Sequence, residues 1–195
     1  MLRALLASVV AVLVATVVLG FGYPALMTGF AQLTMSHQAN GSLVMRGGKV
    51  IGSSLAAQSF SFPGYFHERP SATSPAYNPG FTTFSNLGPT SPALAKLVKA
   101  NAAAILKLEG PYNPGLTIHQ IPVDAVVPSG SGIDPEISIA YAHLQERRVA
   151  VVRHLSLTKV AQLVRDHTEG RTLGFFGERG VNVLAVNLAL DRVSG

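Results

Sequence analysis

The chain has 195 residues, of which 48% are hydrophobic and only 13% are charged, so it is less charged than an average soluble domain. It contains no cysteine, which excludes disulfides, thiolate metal sites, a thiol nucleophile and a lipoprotein anchor. The formal charge is +5, but the basic residues are scattered along the chain. A nucleic-acid-binding face would cluster Lys and Arg, so we expect no nucleic acid among the partners.

The first element is an uncharged segment, residues 4–22, which follows the single charged residue Arg3. As a helix it spans about 28 Å, close to the hydrocarbon thickness of a bilayer. A cleaved signal peptide is the alternative, but the apolar core of a signal is about 15 residues at most, and no clear cleavage site follows here. The sequence therefore predicts a transmembrane anchor over residues 1–30 and one separate domain over residues 31–195.

The charge distribution predicts how this anchor is oriented. The first basic residue after the span is Arg46, more than 20 residues beyond it. Because basic residues favour the cytoplasmic side, we expect a single-pass protein of the inner (cytoplasmic) membrane with a cytoplasmic N-terminus and an extracytoplasmic domain. Ala7, Ala11 and Ala15 recur every four residues, which would let another membrane helix approach closely, although alanine is also common in membrane spans.

The next elements are a hairpin and a long irregular stretch. Gly47-Gly48 lies between two β-rich runs, residues 42–46 and 49–53, and predicts a two-residue turn that needs positive φ. Residues 59–90 are dense in Pro, Gly, Ser, Thr and Asn and have no period. Their seven aromatic residues argue against a disordered linker, so this stretch is expected to be a partner-facing loop.

Three helices and a strand are predicted after this loop. Ser91-Pro92 begins the first helix, and its apolar stripe contains Asn101, which requires a loop-backbone partner or another protein. The second helix is predicted from the Asp134-Pro135-Glu136 signal. The third helix begins at Ser156, and residues 181–190 are rich in β-formers and predict a strand. These mixed elements indicate an α+β domain.

Arg148 falls at the centre of the apolar face of the second predicted helix. A guanidinium in that position requires a carboxylate partner, and Asp124 or Asp134 is expected to supply it. The alternative is that Arg148 extends past its neighbours to water.

No signature of catalysis or of nucleotide binding is present. The chain has no P-loop, no G-x-G-x-x-G after a strand, no G-x-S-x-G elbow and no histidine pair with metal-ligand spacing. The run Ser129-Gly130-Ser131-Gly132 precedes the Asp134 signal and is a candidate anion cradle at a helix N-terminus. A tight lead-in turn is the alternative, because Asp134 would repel an anion.

Short strings along nearly the whole chain occur in a characteristic order: residues 39–43, 52–55, 58–60, 65–67, 69–72, 77–79, 85–90, 122–124, 129–132, 134–135, 148–150 and 181–184. This ordered set resembles the C subunit of the Kdp potassium-transporting ATPase. Departures lie in the long loop, where Glu68 stands at a position that is usually Gly.

The resemblance implies a non-catalytic accessory subunit of a high-affinity potassium pump. Its partners would be a potassium-conducting A subunit, an ATP-hydrolysing B subunit, a small F subunit and the lipid bilayer. It implies roles in complex assembly and as a catalytic chaperone that raises the ATP affinity of the B subunit. Because the charge rule puts the domain outside, such an effect on ATP would be indirect.

The sequence suggests two sets of residues for test. Candidate nucleotide contacts, should ATP bind directly, are Ser129, Gly130, Ser131, Gly132, Gln145 and Arg148. Candidate partner-facing residues are Ala7, Ala11, Ala15, Tyr65, Phe66, Arg69 and Asn86. A direct nucleotide-binding regulator and a membrane-anchored envelope enzyme are the alternative functions, and no metal or resident cofactor is expected.

Overall fold

The computed structural model describes residues 1–193, and the chain divides into two compact units that meet in sequence at residues 51 and 52. The first unit is dominated by one continuous helical run, Leu2–Thr34, which is long and apolar enough to cross a membrane. It consists of α1 (Leu2–Ala15), a wide π-helical stretch (Thr16–Gly22) and α2 (Tyr23–Thr34). A short helix, α3 (Ser36–Ala39), follows. The predicted anchor is therefore helical, and the helix extends four residues beyond the predicted boundary at residue 30.

The π-helical stretch has a local cause in Pro24. Proline lacks an N–H, and its ring crowds the carbonyl four residues earlier, so the regular hydrogen-bond ladder cannot pass through it. The ladder widens instead, and the N–H of Tyr23 donates to the carbonyl of Val18, five residues back. The helix thus continues through a proline that would otherwise end it.

The predicted hairpin is confirmed. Strands β1 (Leu43–Arg46) and β2 (Lys49–Ser53) form a two-stranded sheet around the glycine pair. The φ angles of Gly47 and Gly48 are 58° and 75°, in the left-handed region that glycine adopts without strain.

The second unit is a mixed α+β domain, as predicted. Its helices are α4 (Pro92–Glu109), α5 (Ile139–Val152), α6 (Leu157–Asp166) and α7 (Val183–Val193). Strands β3 (Glu136–Ser138), β4 (Thr168–Glu169) and β5 (Gly180–Asn182) form an antiparallel sheet with β5 in the centre. Ile137 pairs with Val181 across β3 and β5, and both are buried in the core.

The prediction that a helix begins at Asp134-Pro135-Glu136 is wrong. Oδ1 of Asp134 accepts the N–H of Glu136 in a local turn, and Glu136 begins strand β3. Helix α5 begins three residues later, because Ser138 is its cap and accepts the N–H of Tyr141 at 3.0 Å.

The strand predicted over residues 181–190 is also wrong beyond its first two residues. The strand ends at Asn182, whose Oδ1 accepts the N–H of Ala185 at 3.0 Å and turns the chain into helix α7. The buried positions follow a helical period rather than an alternation: 183, 184, 186, 187, 189 and 190. β-Branched composition misled the prediction, since tertiary burial overrides local propensity.

Candidate functional site

A segment of the long loop, residues 62–68, is held by side chains from helices α4, α5 and α7 and by Arg153, which directly follows α5. We call the holding side chains the loop clamp: Glu109, Gln145, Arg148, Arg153, Asn187 and Asp191. Two of them have side-chain amides that each hydrogen-bond both the N–H and the C=O of one loop residue, as a neighbouring β-strand would. Asn187 accepts the N–H of Phe66 at 2.8 Å and donates to its carbonyl at 2.9 Å. Gln145 does the same for His67, at 2.8 and 3.0 Å.

These two amides fix consecutive backbone units of an irregular segment. A buried backbone N–H or C=O without a partner costs about 1–3 kcal/mol. Asn187 and Gln145 are 1% and 0% exposed, so water does not replace them as partners. The loop segment is therefore held in one conformation without being part of a sheet.

Arg148 is the ionic part of the clamp. Both it and Glu109 have fully buried side chains, and Nε of Arg148 donates to Oε1 of Glu109 at 2.8 Å. One terminal nitrogen donates to Gln145 at 2.8 Å, and the other donates to the carbonyls of Tyr65, at 2.9 Å, and Pro63. Burial raises the pKa of Glu109, and the adjacent guanidinium opposes that rise.

The predicted carboxylate pairing is confirmed, but the partner is Glu109 rather than Asp124 or Asp134. Asp124 instead accepts the N–H and the hydroxyl of Ser138 at 2.7 and 2.8 Å. Asp134 pairs with Arg69 at 3.0 Å. Glu109 was missed because it is the last residue of α4, where local sequence gives no sign of the element it packs against.

Arg153 completes the clamp at the surface. It donates to the carbonyl of Gly64 at 2.8 Å and to Asp191 at 3.1 Å. Its guanidinium carbon lies 4.4 Å from the centre of the Tyr65 ring, and the Tyr65 hydroxyl donates to Asp191 at 2.8 Å. Tyr65 packs edge-on against Phe62, whose side chain is 51% exposed.

The four loop residues predicted to face a partner lie in different environments. Phe66 is fully buried, so a partner does not reach its side chain in this conformation, which contradicts the prediction for that residue. Tyr65 is half-buried in the clamp, and Arg69 is half-buried and paired with Asp134. Asn86 is exposed.

The three alanines predicted to face another helix, Ala7, Ala11 and Ala15, are all exposed on the N-terminal helix. Four-residue spacing places them on one side of it.

The six candidate nucleotide contacts fall into two groups with different hydrogen-bond partners. Residues 129–132 lead into strand β3 and not into a helix N-terminus, which removes the geometric basis for an anion cradle. Ser129 is buried and accepts the N–H of Gly132, while Ser131 accepts the N–H of Thr83. Gly132 has a φ of 73°, and a Cβ there would meet Thr73 and Thr83. This run packs against the long loop, whereas Gln145 and Arg148 belong to the clamp.

The long loop carries three exposed aromatic side chains, which we call its exposed aromatic surface. Phe62, Phe81 and Phe84 are 51%, 64% and 55% exposed, although the loop itself is ordered by side-chain hydrogen bonds. Ser71 accepts the N–H of Tyr77 at 3.1 Å and donates to the carbonyl of Gly132 at 2.6 Å. Within residues 1–193, no group of three His, Asp or Glu side chains is placed to hold a metal ion.

Comparison with known proteins adds a family to this geometry. A family model described as "KdpC: K+-transporting ATPase, c chain" matches residues 5–192. A relative from Methylococcus capsulatus is 51% identical over 180 residues, covering 92% of each chain. One from Sorangium cellulosum is 51% identical over 98% of each chain, and one from Mycobacterium tuberculosis is 47% identical over 99% of this chain and all of its own. All three are named as the KdpC subunit of a potassium-transporting ATPase.

Proposed function

This chain belongs to the family of KdpC subunits of potassium-transporting ATPases, and we propose that it acts there as a non-catalytic accessory subunit that assembles and stabilises the pump. The observation that carries this proposal is the contrast within the chain. The 33-residue apolar helix Leu2–Thr34 has no buried side chain. In the second unit the buried Arg148 pairs with Glu109 and holds the long loop. Both are features of a part that supports other chains.

The helix Leu2–Thr34 is proposed to span the inner membrane once, with the N-terminus in the cytoplasm. Arg3 lies before the span, and the next basic residue is Arg46. Ala7, Ala11 and Ala15 would allow a helix of another subunit to pack closely. A reporter enzyme that is active only outside the cytoplasm, fused after residue 193, should be active, whereas a cytoplasmic reporter at the same place should not. The reverse result would exclude this topology.

The exposed aromatic surface of the long loop is proposed to dock on the potassium-conducting A subunit. Phe81 and Phe84 project from a backbone that the chain itself orders, so docking would not require folding of the loop. Burying two phenylalanines is worth several kcal/mol at about 1.5–3 kcal/mol each. The double variant Phe81→Ser/Phe84→Ser should therefore reduce co-purification with the other subunits at least about tenfold.

A matched control is available in another loop. Phe175 and Phe176 are 65% and 57% exposed, so Phe175→Ser/Phe176→Ser removes the same chemistry elsewhere. We expect the control to retain co-purification and both variants to unfold at the same temperature as the parent chain. Equal loss in the two double variants would contradict the assignment of this surface.

The subunit is further proposed to raise the ATP affinity of the ATP-hydrolysing B subunit indirectly, through contacts with the A and F subunits or through its own helix. Arg148 makes its hydrogen bonds within the clamp, so it is not free to hold a phosphate. The complex lacking this chain should show a raised KM for ATP, while the purified chain should bind no ATP. ATP binding by the chain alone, weakened by Ser129→Ala, would instead support a direct nucleotide-binding regulator.

A further inference from the structure

A pocket of about 310 Å³ lies between the long loop and helix α4. Its lining is chemically divided. Aromatic rings of Phe60, Tyr77 and Tyr141 form part of the wall, and α4 contributes an aliphatic side made of Ala104, Ile105 and Leu108. Ser59 and Ala104 are exposed at its rim, so the pocket is open to solvent.

Glu68 is the charged side chain that lines this pocket. It is only 6% exposed, and its Oε1 has no hydrogen-bond partner. Its backbone is held on both sides, because Gln145 hydrogen-bonds the backbone of His67 and the Tyr77 hydroxyl donates to the carbonyl of Arg69 at 3.1 Å. The carboxyl group is therefore placed firmly in a pocket that supplies Oε1 with no donor.

The groups around Glu68 supply no positive charge. Burial raises its pKa to about 8, and hydrogen bonds from the backbone of Glu68 itself and of residues 58 and 60 only partly oppose this. His67 also lines the pocket, but burial, aided by the charge of Arg148, lowers its pKa to about 4, so it is neutral at pH 7. The hydroxyl groups of Tyr77 and Tyr141 have raised pKa values and stay neutral. Arg69 pairs with Asp134 and Arg148 pairs with Glu109, while Nε of Arg69 is buried without a hydrogen-bond partner.

We propose that this pocket binds a small organic cation, a primary ammonium group on a short alkyl chain, with Glu68 as its counter-ion. The ammonium donates to the unpartnered carboxylate oxygen, and the alkyl chain lies against the aliphatic side formed by α4. Asn101 offers a second acceptor, because its Nδ2 already donates to the carbonyl of Val126 at 2.8 Å and leaves Oδ1 for a ligand. The aromatic rings favour a cation over a neutral group.

A bare metal ion fits this lining less well. Hard cations require many oxygen ligands, such as rings of carbonyl groups, and here a single carboxylate stands among aromatic and aliphatic side chains. The binding step also has a defined proton balance. The carboxylic acid of Glu68 loses its proton to solvent, and the resulting carboxylate accepts a hydrogen bond from the ammonium, so one proton leaves for each cation that enters.

The test is calorimetric titration of the purified full-length chain, in detergent micelles, with n-butylammonium chloride. We expect one cation per chain and, at pH 7, release of most of a proton per cation, measured from two buffers of different ionisation enthalpy. The dissociation constant should fall about tenfold between pH 6 and 7, fall less steeply up to pH 8 and level off above it. Absence of binding at pH 8, or binding without proton release at pH 7, would overturn the proposal.

Three variants distinguish the contribution of the Glu68 carboxylate to amine binding from that of the pocket shape. Glu68→Gln keeps the size of the side chain and should weaken binding about tenfold or more and abolish proton release. Ala104→Leu reduces the open volume without changing any charge and should also weaken binding. Glu136→Gln, which alters a carboxyl group with a raised pKa that does not line this pocket, should bind like the parent chain. Unchanged affinity in Glu68→Gln, or a response to KCl equal to that for the amine, would refute the assignment.

Two sources of such an ammonium are distinguished by repeating the titration with the assembled pump. Binding to both the isolated chain and the pump indicates a free small amine. Binding to the isolated chain alone indicates that a lysine of another subunit fills the pocket in the complex, and Glu68→Gln should then also weaken co-purification. Failure of all amine binding would leave the accessory-subunit proposal intact, since that proposal is tested by assembly of the parent chain.

Discussion

The two units of this chain distribute apolar and charged residues in opposite ways. In the helix Leu2–Thr34 the large aliphatic side chains are exposed and none is buried. In the second unit a complete ion pair, Arg148 with Glu109, is fully enclosed. The helix satisfies its own backbone and requires apolar surroundings, whereas the enclosed ions require specific partners supplied by the same chain.

This contrast shows that stability has different origins in the two units. For the helix, the exposed apolar side chains gain free energy from apolar surroundings rather than from contacts within the chain. For the second unit, a few polar contacts between distant parts of the chain decide whether the loop holds its shape. Each substitution below changes either the apolar surface of the helix or a polar contact in the second unit.

The largest effect is expected from breaking the buried ion pair. Arg148→Met leaves the Glu109 carboxyl group enclosed without its cation and should lower the free energy of unfolding by about 3–5 kcal/mol. Chemical denaturation followed by circular dichroism measures this. Arg147→Met, at the exposed neighbouring position, is the control and should change stability by less than about 0.5 kcal/mol. Equal effects at the two positions would show that the buried pair contributes nothing particular.

A charge in the N-terminal helix should have the next largest effect. Val12 is 64% exposed, and a lysine in the middle of a membrane span disfavours insertion by about 2.5–3.5 kcal/mol. Val12→Lys should reduce the membrane-inserted fraction, measured by resistance to alkaline extraction, while Val12→Ala should not. Full insertion of the lysine variant would indicate that the helix is not held by apolar surroundings.

The pH dependence of stability should be smaller and carries a defined sign. The folded-state pKa of Glu68, about 8, lies above the ordinary value of 4.5, so the folded chain binds the extra proton and loses stability as pH rises between those values. His67, with a folded-state pKa of about 4 and an ordinary value of 6.5, has the opposite effect below pH 6.5. When the effects of Glu68 and His67 are added, the free energy of unfolding declines from pH 6.5 to 8.

That decline should amount to about 1 kcal/mol and should be absent in Glu68→Gln. Because other titrating groups are the same in both proteins, the difference between their unfolding curves isolates this carboxyl group. A parallel decline in the variant would mean that the carboxyl group titrates near its ordinary value.

The smallest expected effect concerns the cap of helix α5. Ser138→Ala removes the acceptor for the N–H of Tyr141 and a hydrogen bond to Asp124, and should cost about 1 kcal/mol. Ser156→Ala removes an exposed cap at the start of α6 and should cost less. A larger loss at Ser156 would contradict the importance given to the Asp124 contact.

The features that sequence predicted well have local causes. The Ser91-Pro92 signal placed helix α4 correctly, and the Gly47-Gly48 pair placed the hairpin. For Asn101 the sequence predicts either a loop-backbone partner or another protein, and the structure shows the first, a hydrogen bond from Nδ2 to the carbonyl of Val126. Each of these outcomes is determined by a cap, a turn or a periodic stripe within a few residues.

The features that sequence missed depend on packing between distant elements. Glu109 and Arg148 are separated by 39 residues, and nothing near either one identifies the other. Asn187 stands within an apolar run that suggested a strand, yet it is the residue that brackets Phe66. Glu68 carries no motif, and its significance follows only from the burial of its side chain beside an open pocket.

The pair of hydrogen bonds between Asn187 and the backbone of Phe66 also has a consequence for folding during synthesis. The two residues are 121 positions apart, and Tyr65 and Asp191 are separated by 126. At about 5–20 residues per second, the ribosome reaches helix α7 roughly 6–24 s after it has made the loop. During that interval residues 62–68 of the long loop have no hydrogen-bond partner from α7. We expect nascent chains stopped before residue 183 to be cleaved by proteases within residues 62–68 and to be recognised by chaperones, although most of the other elements have already been made.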